Sequence, residues 1–210
     1  VSPTESFLAE IRAEFPAFRL VRKADSPFCR ALDLALRIVT LNGQRYFLSR
    51  YHTVIGYTLY VPEAWDGTPE LERVVVLRHE RVHLRQRRRL GFLMMAFLYL
   101  IPFFPLGLAY GRARIEWEAY RETLRAKAEL LGLEAAHAPL LRRELIERFT
   151  GPAYGWMWPF PAQVGRWIDH MLAELDREYP KPVRAADAGP ANGTGQERPP
   201  SSLRPFESAP

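Results

Sequence analysis

Apolar side chains recur at helical spacing over most of this chain and follow a strand-like pattern only between about residues 36 and 61. Residues 4–14 (TESFLAEIRAE) predict a short amphipathic helix begun by a Ser or Thr cap. Three β-rich runs follow. Leu36–Leu41 and Gln44–Ser49 flank Asn42-Gly43, a two-residue hairpin signal, and Thr53–Val61 is ended by Pro62. An uninterrupted helix is expected over Leu71–Leu84, starting near Thr68-Pro69-Glu70 with Thr as cap and Pro in the first position. Further helices are expected at 112–131, 139–149 and 162–178, the last carrying Val164, Trp167, Ile168, Met171, Leu172 and Leu175 at core spacing. From Pro180 to Pro210 Pro, Gly, Ala, Ser and Arg dominate, a composition that cannot bury a core. The pattern predicts one α+β domain over 1–180, with a small N-terminal sheet ahead of a helical half, and a disordered tail over 181–210.

Leu90–Tyr110 carries no charge and is long enough to span a bilayer as one helix. Pro102 and Pro105 near its middle predict a broken segment instead. Arg85, Arg87, Arg88 and Arg89 precede it, and Arg112 and Arg114 follow, which places both ends on one cytoplasmic side. The expectation is a hydrophobic helical hairpin over 90–110. It either dips into a membrane or packs against the domain, as in a soluble cytoplasmic protein.

Composition narrows the classes. An apolar fraction of 48% is ample for a core, and the net charge of +5 comes from local Arg clusters, since Lys occurs only at 23, 127 and 181. Such clusters suit anionic lipid headgroups, and with no nucleic-acid motif present lipid is the expected partner. Cys29 is alone, so no internal disulfide forms. The first residues carry Glu5, Glu10 and Glu14 without a sustained apolar run, unlike a secretory signal.

The sharpest chemistry lies at His79-Glu80-Arg81-Val82-His83, an HExxH pattern inside the expected helix. Residues four apart share a helix face, so both imidazoles can point at one metal ion. Glu80 then stands beside an open coordination position, where a general base takes a proton from water. A charged helix face is the alternative, because Arg78, Arg81 and Arg85 can pair with Glu80. Neutral imidazoles are required, so zinc binding is expected to weaken in acid. A sheet followed directly by such a helix is the layout of zinc-dependent peptidases, in which one strand commonly pairs with an extended substrate. Thr53–Val61 is the candidate strand, with Val54, Gly56, Thr58 and Tyr60 on one face.

A third ligand is needed, and the next helix supplies Arg114-Ile-Glu116-Trp-Glu118-Ala-Tyr120. The HExxH helix, an apolar insert and this later motif together resemble the gluzincin membrane metallopeptidases, the group of CAAX prenyl proteases and bacterial heat-shock membrane proteases. The resemblance covers roughly residues 50–130 and is specific at the metal motifs. It implies a zincin-like fold and Zn2+ held by His79, His83 and Glu116, with Trp117 as the motif's aromatic and Ala119 as its small residue. The family's closing Asp, which orients a ligand histidine, is replaced here by Tyr120, which cannot supply the same charge. A second register uses Glu118 as ligand with Glu122 as its carboxylate partner.

The expected activity is zinc-dependent hydrolysis of peptide bonds in a protein or peptide substrate at the cytoplasmic face of a membrane. Glu80 is the catalytic base, and Tyr120, Tyr154 or a nearby Arg is the oxyanion donor. The alternatives are a zinc-bearing, membrane-associated scaffold or interaction protein of little or no activity, and a metal-free membrane-associated interaction protein in which the HExxH pattern is coincidence. Tyr154-Gly-Trp156-Met-Trp158-Pro-Phe160 reads as an interfacial anchor, a cleft wall or loop packing. His52, His137 and His170 have no motif around them and are expected to be ordinary histidines.

Overall fold

The computed structural model describes residues 1–39, 47–50, 52–100, 109–151 and 157–180. The Asn42-Gly43 turn, the Pro102–Pro105 break, Tyr154 with Trp156, and the tail over 181–210 lie outside the described residues. The fold is α+β: mostly helical, with a three-stranded sheet near the N-terminus.

Helix α1 (Pro3–Glu14) is capped by Ser2, whose hydroxyl accepts from Glu5 N at 3.2 Å while the Glu5 carboxylate reaches back to Ser2 N. Strand β1 (Arg19–Arg22) leads through a 3₁₀ turn, Lys23–Asp25, into helix α2 (Pro27–Val39). A short helix α3 (Phe47–Arg50) precedes strands β2 (Thr53–Ile55) and β3 (Thr58–Val61).

The expected hairpin strands Leu36–Leu41 and Gln44–Ser49 are corrected where they are described. Residues 36–39 belong to α2, and 47–49 belong to α3. Cys29 and Asp33 are buried while Ala31 between them is exposed, a spacing that a helix satisfies and a strand, in which all three would share one face, does not. The expected single strand Thr53–Val61 is a hairpin, turned at Gly56 with φ 66°, a left-handed conformation that glycine adopts without steric cost. β3 pairs parallel with β1 and antiparallel with β2, so it has no free edge for a substrate strand. Only the β2 stretch of the candidate, Thr53–Ile55, lies at an edge.

Helix α4 (Glu70–Leu90) runs unbroken for 21 residues and lies between two cores. On one side Leu77 and Leu84 join Ile11, Phe15, Phe18, Leu59, Val61 and Trp65 beneath the sheet. On the other side lies helix α6 (Tyr110–Leu131). Lys127 pairs with Glu72 at 2.7 Å, Arg78 with Glu122 at 2.6 Å, and Gln86 Nε2 donates to the Ile115 carbonyl at 3.0 Å. Numbers rise along α4 as their partners fall along α6, so the two helices are antiparallel. The outer face of α6 (Tyr120, Leu124, Ala128) packs with helices α8 (Pro139–Thr150) and α9 (Pro161–Glu178) in the second core, and the short α7 (Leu133–Ala136) connects them.

The insert begins as expected for a hairpin. Gly91, at φ 80°, separates α4 from helix α5 (Phe92–Leu100), and the Leu98 side chain lies against Gly111 at the start of α6. The two ends of 90–110 are therefore close together. Among the described residues no helix is long and apolar enough to cross a membrane.

Glu14 ties α1 to α4. Its carboxylate accepts from Arg81 at 2.7 Å, Arg85 at 2.8 Å and Arg88 at 3.2 Å. The Arg85 hydrogen bond, opposed by burial and reinforced by Arg81, holds its pKa down at about 2. A carboxylate depressed in the folded state contributes stability present above its unfolded pKa and lost as pH falls through the folded one. Stability against thermal unfolding should therefore fall as pH drops from about 4.5 to about 2. Glu14→Gln should flatten that limb and cost about 1 kcal/mol near neutrality, the partners being half-exposed. An unchanged acid limb in the variant would remove Glu14 from this role.

Candidate metal centre

The centre is built across the α4–α6 pair. His79 and His83, one turn apart on α4, present their Nε2 atoms 3.2 Å from each other. Glu116 Oε2, from α6, lies 4.0 Å from His79 Nε2 and 3.8 Å from His83 Nε2. Among the described residues this is the group of His, Cys, Asp or Glu whose ligand atoms all fall within 4.8 Å of one another. Atoms about 2.0–2.2 Å from a shared zinc stand about 3–4.5 Å apart, so the spacing fits that ion.

The hydrogen bonds behind the imidazoles decide their tautomers. Gln86 Nε2 donates to the Ile115 carbonyl at 3.0 Å and to Glu118 Oε2 at 2.9 Å, both pure acceptors. Gln86 Oε1 must then face His83, and His83 Nδ1–H donates to it at 2.9 Å. His79 Nδ1–H donates to Thr123 Oγ1 at 2.9 Å, while that hydroxyl donates to the Ala119 carbonyl at 3.2 Å. Both neutral rings thus turn an Nε2 lone pair toward the same point as a carboxylate oxygen. Neither Nε2 can donate to the other, and three acceptor atoms so converged could together hold a cation.

Burial matches that reading. Glu80, His83 and Glu116 are all buried. The His79 pKa is held well below its usual range, first by burial and then by the charges of His83 and Arg148. Glu80 is pushed up to about 7 by burial, with Glu116 raising it further and His83 and Lys23 opposing. A divalent cation beside it would pull that value down again.

Glu118 does not join the centre. It accepts from Gln86 and lies 3.7 Å from Arg89, so the register with Glu116 is the one the structure forms. Glu122, the partner of the other register, pairs with Arg78. Tyr120 is brought against His79, ring to ring at 4.7 Å and 61°, and its hydroxyl accepts from Arg148 Nη1 at 3.1 Å. It supports His79 by packing, while that ring's Nδ1–H donates to Thr123. Tyr154 lies outside the described residues. Trp158 stacks on Trp167 at 6.0 Å and donates to Gln163 Oε1, which is loop packing.

Several residues near the centre had no sequence motif. Gln86 lies one turn past His83, and Thr123 two turns past Glu116, so helical spacing from the ligands was the signal that pointed to them. Lys23 is fully buried and pushed down to about 8 by burial, with Cys29, Glu80 and Asp33 acting against that. His52, expected to be ordinary, packs edge-on against Trp65 and is pushed down to about 4 by burial, then by Lys23 and Arg148. Only the fold brings these groups near α4.

No family model, no curated protein and no solved structure matches this chain. Its function must be read from the centre itself.

Two substitutions test this geometry. Gln86→Leu should lower zinc affinity about 10–100-fold by competition with a chelating dye, because His83 loses its orienting acceptor. Glu116→Gln should lower zinc stoichiometry while Glu118→Gln leaves it at the parent value. The opposite order would make Glu118 the ligand.

Proposed function

We propose that the chain is a zinc-dependent hydrolase with a zincin-like catalytic half, acting on peptide bonds. The observation that carries this is the convergence of His79 Nε2, His83 Nε2 and Glu116 Oε2, with buried Glu80 between the two histidines in sequence. The resemblance of these motifs to gluzincin metallopeptidases supports the same reaction class. Zinc, when bound, supplies Lewis-acid polarisation of a carbonyl and lowers the pKa of water.

The remaining work falls to the chain's own side chains. Glu80 takes a proton from water on its carboxylate and delivers it to the leaving amine. Burial weakens its acidity and the bound ion would oppose that, so the two together set its strength as a base. Thr123 and Gln86 keep both imidazoles in the ligating tautomer. Arg148, donating to the Tyr120 hydroxyl, brings positive charge to the His79 side of the centre, where negative charge on a substrate oxygen needs a donor. Edge strand β2, packed beside α4, offers backbone pairing to an extended peptide.

A zinc-bearing scaffold is the second reading, and Tyr120 in the place of a charged orienting residue favours it. Glu80→Gln separates the two. With zinc content and melting behaviour unchanged, cleavage of an unfolded polypeptide should fall by about 10²–10⁴-fold. A zinc-loaded parent chain that cleaves nothing would leave the scaffold.

A further inference from the structure

From Arg81 to Ile115 the chain contains seven arginines and no aspartate or glutamate. Helix α5 lies within this stretch, and each of its nine residues is apolar. Instead of burying them, the fold leaves Phe92 57%, Leu93 81%, Met94 49% and Phe97 42% exposed. Leu93, Met94 and Phe97 share one helix face, while Leu98 turns inward to Gly111. Four large apolar side chains standing out of one short helix mark an interaction surface.

Its surroundings are cationic. Arg85, Arg88 and Arg89, in the last turns of α4, are 51%, 55% and 68% exposed along their side chains, and Arg114 is exposed on α6. Arg87 stacks over Tyr57 at 4.0 Å and reaches the Phe92 ring at 5.7 Å. Glu10, Glu14 and Glu118 answer some of these charges, and the excess stays positive.

We infer that α5 and its arginine collar dock the protein on the surface of an anionic lipid bilayer. Nine residues make a helix about 13 Å long, far short of a hydrocarbon core about 30 Å thick. The helix therefore lies in one leaflet, with its apolar side chains about 5–10 Å deep and the arginines at phosphate level. An apolar stripe alone would fit a second copy of the chain equally well. Repulsion between two such collars disfavours that occupant, and anionic headgroups relieve it.

Phe92 follows His83 by nine residues, about 13 Å along the helices. Docking thus sets the metal centre close above the headgroups. Resting on the hydrolase reading, the centre would then meet polypeptide segments held near the headgroups. Docking itself does not depend on that reading, and lipid binding can be measured whether or not the centre is active.

The test is co-sedimentation of the full chain with vesicles of phosphatidylcholine alone or mixed with phosphatidylglycerol, alongside a vesicle-free spin and light scattering. The parent should pellet with mixed vesicles and be released by detergent. Leu93→Ser with Phe97→Ser should abolish pelleting with melting and zinc content retained. Arg89→Gln with Arg114→Gln should weaken binding to mixed vesicles about 30-fold, the loss of two charges near the surface, and leave binding to phosphatidylcholine unchanged. Recovery of the parent in the supernatant with both vesicle types would overturn the inference. So would a parent dimer that the Leu93/Phe97 variant dissociates without any change in vesicle binding.

Discussion

The candidate metal centre depends on the antiparallel packing of α4 against α6. A 21-residue helix that is buried on two sides must satisfy two constraints at once. Leu77 and Leu84 commit one face to the sheet and α1, so the face carrying His79, His83 and Gln86 is turned toward α6. Ion pairs at Lys127–Glu72 and Arg78–Glu122 set the register of the two helices. That register places Glu116 opposite the histidines and Glu118 opposite Gln86. A shift of a few residues would exchange a ligand carboxylate for one that belongs to the supporting hydrogen bonds.

The same packing supplies the chemistry around the centre. Burial in the helix pair makes an unpaired charge costly, which raises Glu80 and lowers His79. It also makes the supporting hydrogen bonds worth more than they would be in water. His83, Gln86 and Glu118 form one continuous chain of such bonds, so negative charge does support a candidate ligand histidine, through an intervening amide. Tyr120 is thereby relieved of that task and left to pack on His79 and to receive Arg148.

Much of this was legible in the residues. The HExxH helix and the helices after it follow from periodicity, but the Thr68 cap expected for the first of them does not form, since Pro69 stands at its N-cap without a side-chain hydrogen bond. Glu116 was legible only through resemblance, since spacing alone allowed Glu118 equally. The strands expected at 36–41 and 44–49 were misread where they are described because short apolar runs satisfy both periods. Burial of Cys29 and Asp33 with Ala31 exposed between them decides for helix, and that is a tertiary fact. In sequence Gly56 reads as a small residue within a strand rather than a turn, which conceals the hairpin and the edge position of β2. Lys23, His52 and Arg148 come from segments far apart in sequence, and no local pattern brings them together near the centre.

The central claim is that His79, His83 and Glu116 hold zinc through two imidazole nitrogens and a carboxylate oxygen. Zinc-edge X-ray absorption on the full chain, purified without added metal, reads this most directly. It should show about one zinc per chain, with two imidazoles in a shell of nitrogen and oxygen neighbours at about 2.0–2.2 Å and no sulfur. His83→Ala should lose one imidazole or the metal altogether. Trace zinc, or a zinc spectrum that His83→Ala leaves unchanged, would contradict it.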